Sequence, residues 1–192
     1  MGLWESLTGR SRVRAPNLDS LFLVPSAAIT LEAALGLRPT GSGSVCYRAP
    51  AGAAYEQVQA DVLALLGNAT DAPAVEVSND SFGFTWLVVS GDPSDTGALC
   101  TDLHAVNSTL TDQGFAHGLL CTLVPFADTG GRRIGLVYLY KQGTFYPFAP
   151  TVGPEQRRDN LVEISVRDAL AGELPVERDL QRWLALWGAP GL

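Results

Sequence analysis

The most informative stretch for the fold is residues 119–148, LLCTLVPFADTGGRRIGLVYLYKQGTFYPF. Two apolar runs, Leu119 to Phe126 and Arg133 to Lys141, flank a turn over Asp128 to Gly131, and a third run, Phe145 to Phe148, follows a second glycine-containing turn. Short apolar runs separated by such turns are typical of hairpins, which join antiparallel strands. The stretch therefore predicts three consecutive antiparallel strands.

Three more strands are predicted upstream of this stretch. Val75 and Val77 alternate with polar neighbours, as in a half-buried strand, and Asn79-Asp80-Ser81 supplies a turn after them. The run Phe84 to Val89 is apolar on both faces, which indicates a central strand. A short strand, Ser44 to Arg48, follows a loop over Pro39 to Gly43.

Helical spacing of apolar residues predicts the remaining elements. Leu99, Leu103, Val106 and Leu110 form a stripe that begins after Pro93 and ends at Gly114. The same pattern predicts four further helical regions: Leu18 to Leu35, capped by Asn17 and interrupted at Pro25; Tyr55 to Leu66; Asp159 to Ala171; and Glu177 to Trp187. In the first of these regions, the alternation of Ile29 and Leu31 also allows a strand.

This order of elements predicts an α+β fold with a largely antiparallel sheet, helices packed on one face and C-terminal helices. Residues 17–192 are interpreted as a single domain and residues 1–16 as an N-terminal tail. In the tail, the apolar Leu3, Trp4 and Leu7 precede three arginines. Peripheral membrane contact through residues 1–14 and a frayed terminus are both compatible with that pattern.

Composition excludes some classes of function. The formal net charge is −7 and only 13 residues are Lys or Arg, which is unfavourable for a protein that must neutralise nucleic-acid phosphates. Cys46, Cys100 and Cys121 cannot all pair within one chain and form no CxxC motif, so small buried thiols in a reducing compartment are expected. No signal peptide and no apolar run of about 20 residues is seen, which predicts a cytoplasmic protein.

The search for catalytic chemistry finds two weak patterns. Cys100 and His104 are four residues apart on the predicted helix and share a face, and His117 and Cys121 follow it, which would allow a zinc site. Cys100 and His104 could alternatively act as a nucleophilic pair in a cysteine-dependent enzyme. Neither pattern brings a complete set of groups, so we predict no catalytic residue, no cofactor and no metal.

Aromatic residues supply the candidate binding surface. Five of them fall in the eleven residues from Tyr138 to Phe148, and two tryptophans follow on the last predicted helix. These rings either form the core of the sheet or present a patch to a partner, since aromatic side chains are enriched at protein interfaces. The candidate interface residues are Tyr138, Tyr140, Phe145, Tyr146, Phe148, Trp183 and Trp187.

Several segments resemble the PspA-associated protein B family. They are PNLDSLFLVPSAAITLEAALGLRPTGSGSVCYRA (16–49), TDLHAVNSTLTDQGF (101–115), LVYLYKQGTFYPFAP (136–150), RRDN (157–160) and WGAPGL (187–192). The resemblance spans nearly the whole chain. The VNSTL helix followed by a hairpin is also similar, more loosely, to the YbjN and type III secretion chaperone-like fold, whose members bind polypeptides.

The family resemblance implies a cytoplasmic accessory protein of the envelope-stress response in actinobacteria. Its expected partner is a PspA-like coiled-coil protein at the inner membrane face, and an HtpX-like membrane protease is a further implied partner. A chaperone-like adaptor and a homodimer are the alternatives. The resemblance carries over no catalytic residue.

Overall fold

A computed structural model describes residues 17–48, 60, 63–64, 75–153 and 155–192. Its centre is a seven-stranded sheet in which every ladder is antiparallel. The strands are β1 Arg38–Pro39, β2 Ser42–Tyr47, β3 Val75–Asn79, β4 Thr85–Ser90, β5 Leu119–Ala127, β6 Arg133–Leu139 and β7 Thr144–Phe148. Their order is β3-β4-β2-β5-β6-β7, with β1 paired to the end of β5.

Three α-helices are described, and all of them pack on the same face of the sheet. They are α1 Val24–Leu35, α2 Thr96–Asp112 and α3 Asn160–Leu170. Short 3-10 helices cover Leu18–Leu23, Phe115–His117 and Leu180–Arg182. The predicted α+β class, with an antiparallel sheet and helices on one face, is confirmed.

Helix α2 shows why the helical layer forms here. The Asp95 carboxylate caps its first turn by accepting from Ala98 N at 2.9 Å, so the helix begins at Thr96, three residues after Pro93. Its buried stripe faces β2, and a Cβ added to Gly43 would lie 2.6 Å from Leu103 Cδ1. Each buried Leu or Val of the stripe stabilises the fold by about 1.5–3 kcal/mol.

The N-terminal helical region differs in detail from its prediction. A 3-10 helix, Leu18–Leu23, runs directly into α1, and Pro25 lies in the first turn of α1, where its missing N–H costs nothing. The Asn17 side chain makes no cap, and the backbone carbonyl of Asn17 accepts from Tyr138 Oη at 2.9 Å. The strand alternative at Ile29 is wrong, and Gly36 ends α1 in the left-handed conformation at φ 67°.

One described helical stretch, Leu18–Leu35, is long and apolar enough to cross a membrane by length and composition alone, with a hydropathy of 1.5. The prediction from the sequence that the chain has no such stretch is wrong. Core helices of soluble proteins pass the same test. Here 33% of the stretch is buried: Leu21, Val24 and Leu31 are fully buried in the core beneath the helical layer, whereas Ile29 is 72% exposed.

Strand alternation divides the core between the two faces of the sheet. On β6, Ile134, Leu136 and Tyr138 belong to the cluster under the helices, whereas Val137 belongs to the cluster on the opposite face. No α-helix among those described covers that opposite face. It is covered in part by the C-terminal segment, residues 174–192, through Trp183, Leu186, Trp187, Ala189 and Leu192.

The predicted helix from Glu177 to Trp187 is wrong, because the C-terminal segment contains only a short 3-10 helix there. Phe145 N donates to Pro175 O at 2.8 Å and Glu177 N donates to Phe145 O at 2.7 Å, so the segment starts as an extended neighbour of β7. The Asp179 carboxylate then accepts from Gln181 N and supports only the 3-10 helix Leu180–Arg182. Long-range pairing with β7 therefore replaces the local helical preference.

Two predicted regions lie outside the described residues. One is the tail, residues 1–16, with its membrane-contact hypothesis. The other is the helix from Tyr55 to Leu66, of which positions 60, 63 and 64 alone are described, as helical. The helix from Asp159 to Ala171 is confirmed as α3, capped by Asp159 through Val162 N at 3.1 Å.

Candidate functional site

The predicted aromatic surface is divided between the two faces of the sheet. Tyr138, Tyr140 and Phe145 lie under the helices, where Tyr138 and Phe145 pack with ring centroids 5.0 Å apart. All three are nearly fully buried, and burial raises the pKa of Tyr138 to about 12. Of the two alternatives for these three rings, the core of the sheet is confirmed and the exposed patch is wrong.

The other four aromatic candidates meet on the opposite face. Tyr146 stacks on Trp183 at 6.0 Å, and Phe148 meets Trp187 edge-on at 5.0 Å. Tyr146, Phe148 and Trp183 are buried, so exposure is wrong for them also, and Trp187 alone is half-buried. These contacts attach the C-terminal segment to the sheet.

The cysteine and histidine candidates do not converge. Cys100 is fully buried on the sheet-facing side of α2, whereas Cys121 belongs to the cluster on the opposite face of the sheet. The two ring nitrogens of His104 lie 3.5 Å from Asp19 and 3.4 Å from Ser108 Oγ. Within the described ranges, no group of three or more His, Cys, Asp or Glu side chains is placed to hold a metal ion.

Burial also affects the thiol chemistry of Cys100. Burial raises the pKa of its thiol to about 12, so the reactive thiolate is scarce near neutral pH. All three cysteines are free and buried, which confirms the prediction of small buried thiols.

A pocket of about 560 Å³ opens on the face of the sheet opposite to the helices. Its floor is formed by β2, β4 and β5, and its walls are formed by the β3–β4 turn and the C-terminal segment. The lining is mainly apolar and includes Cys46, Phe82, Phe84, Trp86, Leu120, Cys121, Leu139, Tyr146, Leu184, Leu186 and Trp187. We call it the sheet pocket.

The β3–β4 turn holds one wall of the sheet pocket through Asp80. Its Oδ1 accepts from Phe82 N at 2.9 Å and from Phe84 N at 3.0 Å, and its Oδ2 accepts from Trp86 Nε1 at 2.9 Å. Desolvation raises the pKa of Asp80, but these hydrogen bonds together outweigh it and lower that pKa below its usual range. The Asp80 carboxylate therefore stabilises the β3–β4 turn through these hydrogen bonds.

Two cations also line the sheet pocket. Arg48 lies over the Phe84 ring, with its guanidinium carbon 5.2 Å from the ring centroid. Lys141, at the turn between β6 and β7, is exposed. In the part of the chain that the structure describes, neither cation lies within ion-pair distance of a carboxylate.

Two thiols on neighbouring strands line the pocket. Cys46 of β2 and Cys121 of β5 are directly opposite in the antiparallel ladder. A hydrogen bond in which the Cys46 thiol donates to Cys121, together with burial, raises the pKa of Cys46 far above its usual range. Cys46 thus presents a neutral, weakly polar thiol in the floor of the pocket.

Exposed charge and exposed apolar side chains meet at the mouth of the pocket. Phe82 and Leu184 are each 59% exposed, on the β3–β4 turn and the C-terminal segment respectively. Among the lining residues, the sequence patterns indicated Tyr146 and Trp187 as interface candidates, Cys121 as a candidate metal ligand and Cys46 as a buried thiol. Lys141, the single lysine of the chain, was the one local signal that could have drawn attention to this site.

Comparison with known proteins gives one match. A family model described as PspA associated protein B matches residues 1–191. No curated protein and no solved structure matches the chain at a significant level.

Proposed function

Because this chain belongs to the PspA associated protein B family, we propose that it is a non-catalytic accessory protein that binds a PspA-like coiled-coil partner in a bacterial envelope-stress response. The observation that carries the proposal is the sheet pocket, whose mouth leaves large apolar side chains in water. Exposed apolar groups beside a concave surface are typical of sites where another protein docks.

The apolar mouth offers a binding energy of useful size. Phe82 and Leu184 each remain 59% exposed, and covering such a side chain stabilises a complex by about 1–2 kcal/mol. The half-buried Trp187 lies beside them in the lining and is the residue type most enriched at binding hot spots. A few such contacts suffice for a regulated interaction, since each 1.4 kcal/mol changes affinity about tenfold.

We place this function at the cytoplasmic side of the inner membrane, as the family resemblance implies. An HtpX-like protease and a second copy of the chain are further partners under this proposal. A cysteine-dependent enzyme that uses Cys100 and His104 is less favoured, because the Cys100 thiol is buried and both His104 ring nitrogens face other groups.

Co-purification with the PspA homologue of the same organism tests the proposal. We expect the wild-type protein to retain PspA and Leu184→Asp to bind it at least tenfold more weakly, because a carboxylate in the mouth would be desolvated. Leu161→Asp is the matched control, since Leu161 is 76% exposed on α3 in the helical layer. Failure of wild-type protein to retain PspA, with and without membranes, would refute the proposal.

A further inference from the structure

The backbone around the sheet pocket restricts the conformation of a partner. Strands β2, β4, β5 and β6 are each paired on both sides, and the edge of β7 is covered at Phe145 by the C-terminal segment. In the described sheet β3 has a free edge, but no residue of β3 lines the pocket. An extended segment laid into the pocket would therefore find no free strand edge there for its N–H and C=O groups. A helix pairs these groups internally and needs only a surface for its side chains.

The exposed apolar groups at the mouth also favour a helix over a small ligand. A volume of about 560 Å³ suits either a small molecule or a few side chains. A ligand held inside the pocket would leave much of Phe82 and Leu184 in water. A helix across the mouth would cover both and insert side chains spaced three and four residues apart into the pocket.

The charges of the lining indicate which residues flank those apolar side chains. Arg48 and Lys141 have no carboxylate partner among the described residues. Asp80 does not neutralise them by direct contact, because its oxygens accept from Phe82, Phe84 and Trp86. Acidic side chains on the partner would complement the two cations and set its orientation.

We propose that the sheet pocket binds an amphipathic α-helix of the PspA-type partner, with apolar side chains inserted between Phe82 and Leu184 and acidic side chains against Arg48 and Lys141. This inference rests on the proposed function and specifies the chemistry of its partner. It also assigns different roles to two sets of residues: the apolar mouth supplies affinity, and the two cations supply orientation and a salt-dependent association rate.

The test is a titration of fluorescently labelled full-length PspA homologue with the full chain at two salt concentrations. We expect the double variant Arg48→Glu, Lys141→Glu to bind at least tenfold more weakly than wild type and to lose most of the salt dependence. The single variant Lys141→Glu should show an intermediate loss. Arg178→Glu is its matched control: it makes the same change of charge at an exposed position outside the sheet pocket, and we expect less than a twofold effect.

Hydrogen exchange of the complex identifies the bound element. We expect protection of a helix of PspA that carries acidic residues next to its apolar stripe, and of the β3–β4 turn of this chain. Circular dichroism of every variant should match that of the wild type, which separates lost binding from lost folding.

The possible failures are distinguishable. If wild-type protein binds PspA but the charge variants bind equally well, the acidic helix is refuted and the accessory function stands. If PspA does not bind wild-type protein at all, both the accessory function and the helix-binding pocket are refuted. If sodium decanoate binds wild-type protein but not Lys141→Glu, and PspA binds both proteins equally well with and without decanoate, the pocket belongs to a small amphiphile. If Leu184→Asp converts a dimer to a monomer in light scattering, it belongs to a second copy of the chain. Each of these last two outcomes also refutes the helix.

Discussion

At the scale of single residues, the most consequential polar contact is the ion pair between Arg158 and Glu163. Arg158 Nε donates to Glu163 Oε1 at 2.8 Å, and the same oxygen accepts from Ala149 N at 2.9 Å. Arg158 Nη1 also donates to Trp183 O at 2.5 Å. One guanidinium thereby connects the start of α3 to the C-terminal segment on the other side of β7.

Replacement of Arg158 by Met should therefore be costly. We expect a loss of about 3 kcal/mol in the free energy of unfolding, because Glu163 would keep a buried charge without its partner. Urea denaturation measures the loss. Arg157→Met is the control, since the Arg157–Glu155 pair is 74% and 67% exposed and should contribute less than about 1 kcal/mol. Equal losses in the two variants would contradict the assigned role.

Asp80 should make the stability of the fold depend on pH. The pKa of Asp80 is lower in the folded chain than in the unfolded chain, where it is about 4. Its hydrogen bonds therefore stabilise the fold fully at pH values above about 4. This stabilisation is lost as the pH falls through the pKa of the folded state. We expect Asp80→Asn to cost about 1–2 kcal/mol at pH 7 and progressively less below pH about 4. Urea midpoints of both proteins from pH 2 to 8 test this, with the exposed Asp112→Asn as control. A difference independent of pH would argue against it.

The Cys100 thiol should be protected from modification in the folded protein. With its pKa raised to about 12, the thiolate fraction at pH 8 is on the order of 10⁻⁴. We expect an aromatic disulfide reagent to leave Cys100 unmodified at pH 8 until guanidinium unfolds the chain, as mass spectrometry of the peptides would show. Rapid modification of Cys100 in native protein would revive the hypothesis of a cysteine-dependent enzyme.

At the scale of elements, local sequence patterns account for most of the sheet and the helical layer. Alternation over Val75 to Asn79 and continuous apolar runs in β5 and β6 located those strands within one or two residues, because both patterns follow from which faces are buried. The stripe of α2 located that helix for the same reason. These signals depend on neighbours in sequence and are visible without the fold.

The C-terminal segment shows where such signals fail. Leu180, Trp183, Leu184 and Trp187 have helical spacing, yet Leu180 is 61% exposed and Trp183 is buried. The bonds that determine its path, from Phe145 to Pro175 and Glu177, join residues about 30 positions apart and have no local pattern. The sheet pocket was missed for the same reason, since its lining combines five separate parts of the chain.

Trp183 should hold the C-terminal segment on the sheet. Its indole Nε1 donates to Glu177 O at 3.1 Å and its ring stacks on Tyr146. We expect Trp183→Ala to cost about 3–5 kcal/mol in urea denaturation, and to expose the segment to limited proteolysis. Leu180→Ala, at a position 61% exposed, should change stability by less than about 0.5 kcal/mol. Retained protease resistance in Trp183→Ala would show that other contacts suffice.

At the scale of the whole molecule, the helical layer and the C-terminal segment rest on opposite faces of the same central strands. Val45 and Leu123 lie in β2 and β5, which are paired on both sides, and they contact the clusters on opposite faces of the sheet. In the described part of the sheet, β3 is paired only with β4 and its side chains are half-buried or exposed. Opening the centre of the sheet therefore requires unfolding both layers, whereas β3 can separate alone.

Native-state hydrogen exchange should reveal this order. We expect the amides of β2, β5 and β6 that donate within the sheet to exchange only through global unfolding, with free energies equal to that from urea denaturation, and those of β3 to exchange by local opening with a much lower free energy. Trp183→Ala should lower the protection of the central strands by the same amount as its loss of global stability, because the segment and the strands unfold together. If protection in β2 and β5 stayed unchanged in that variant, the C-terminal segment would be an independent unit. The wall that it contributes to the sheet pocket could then open without cost to the rest of the fold.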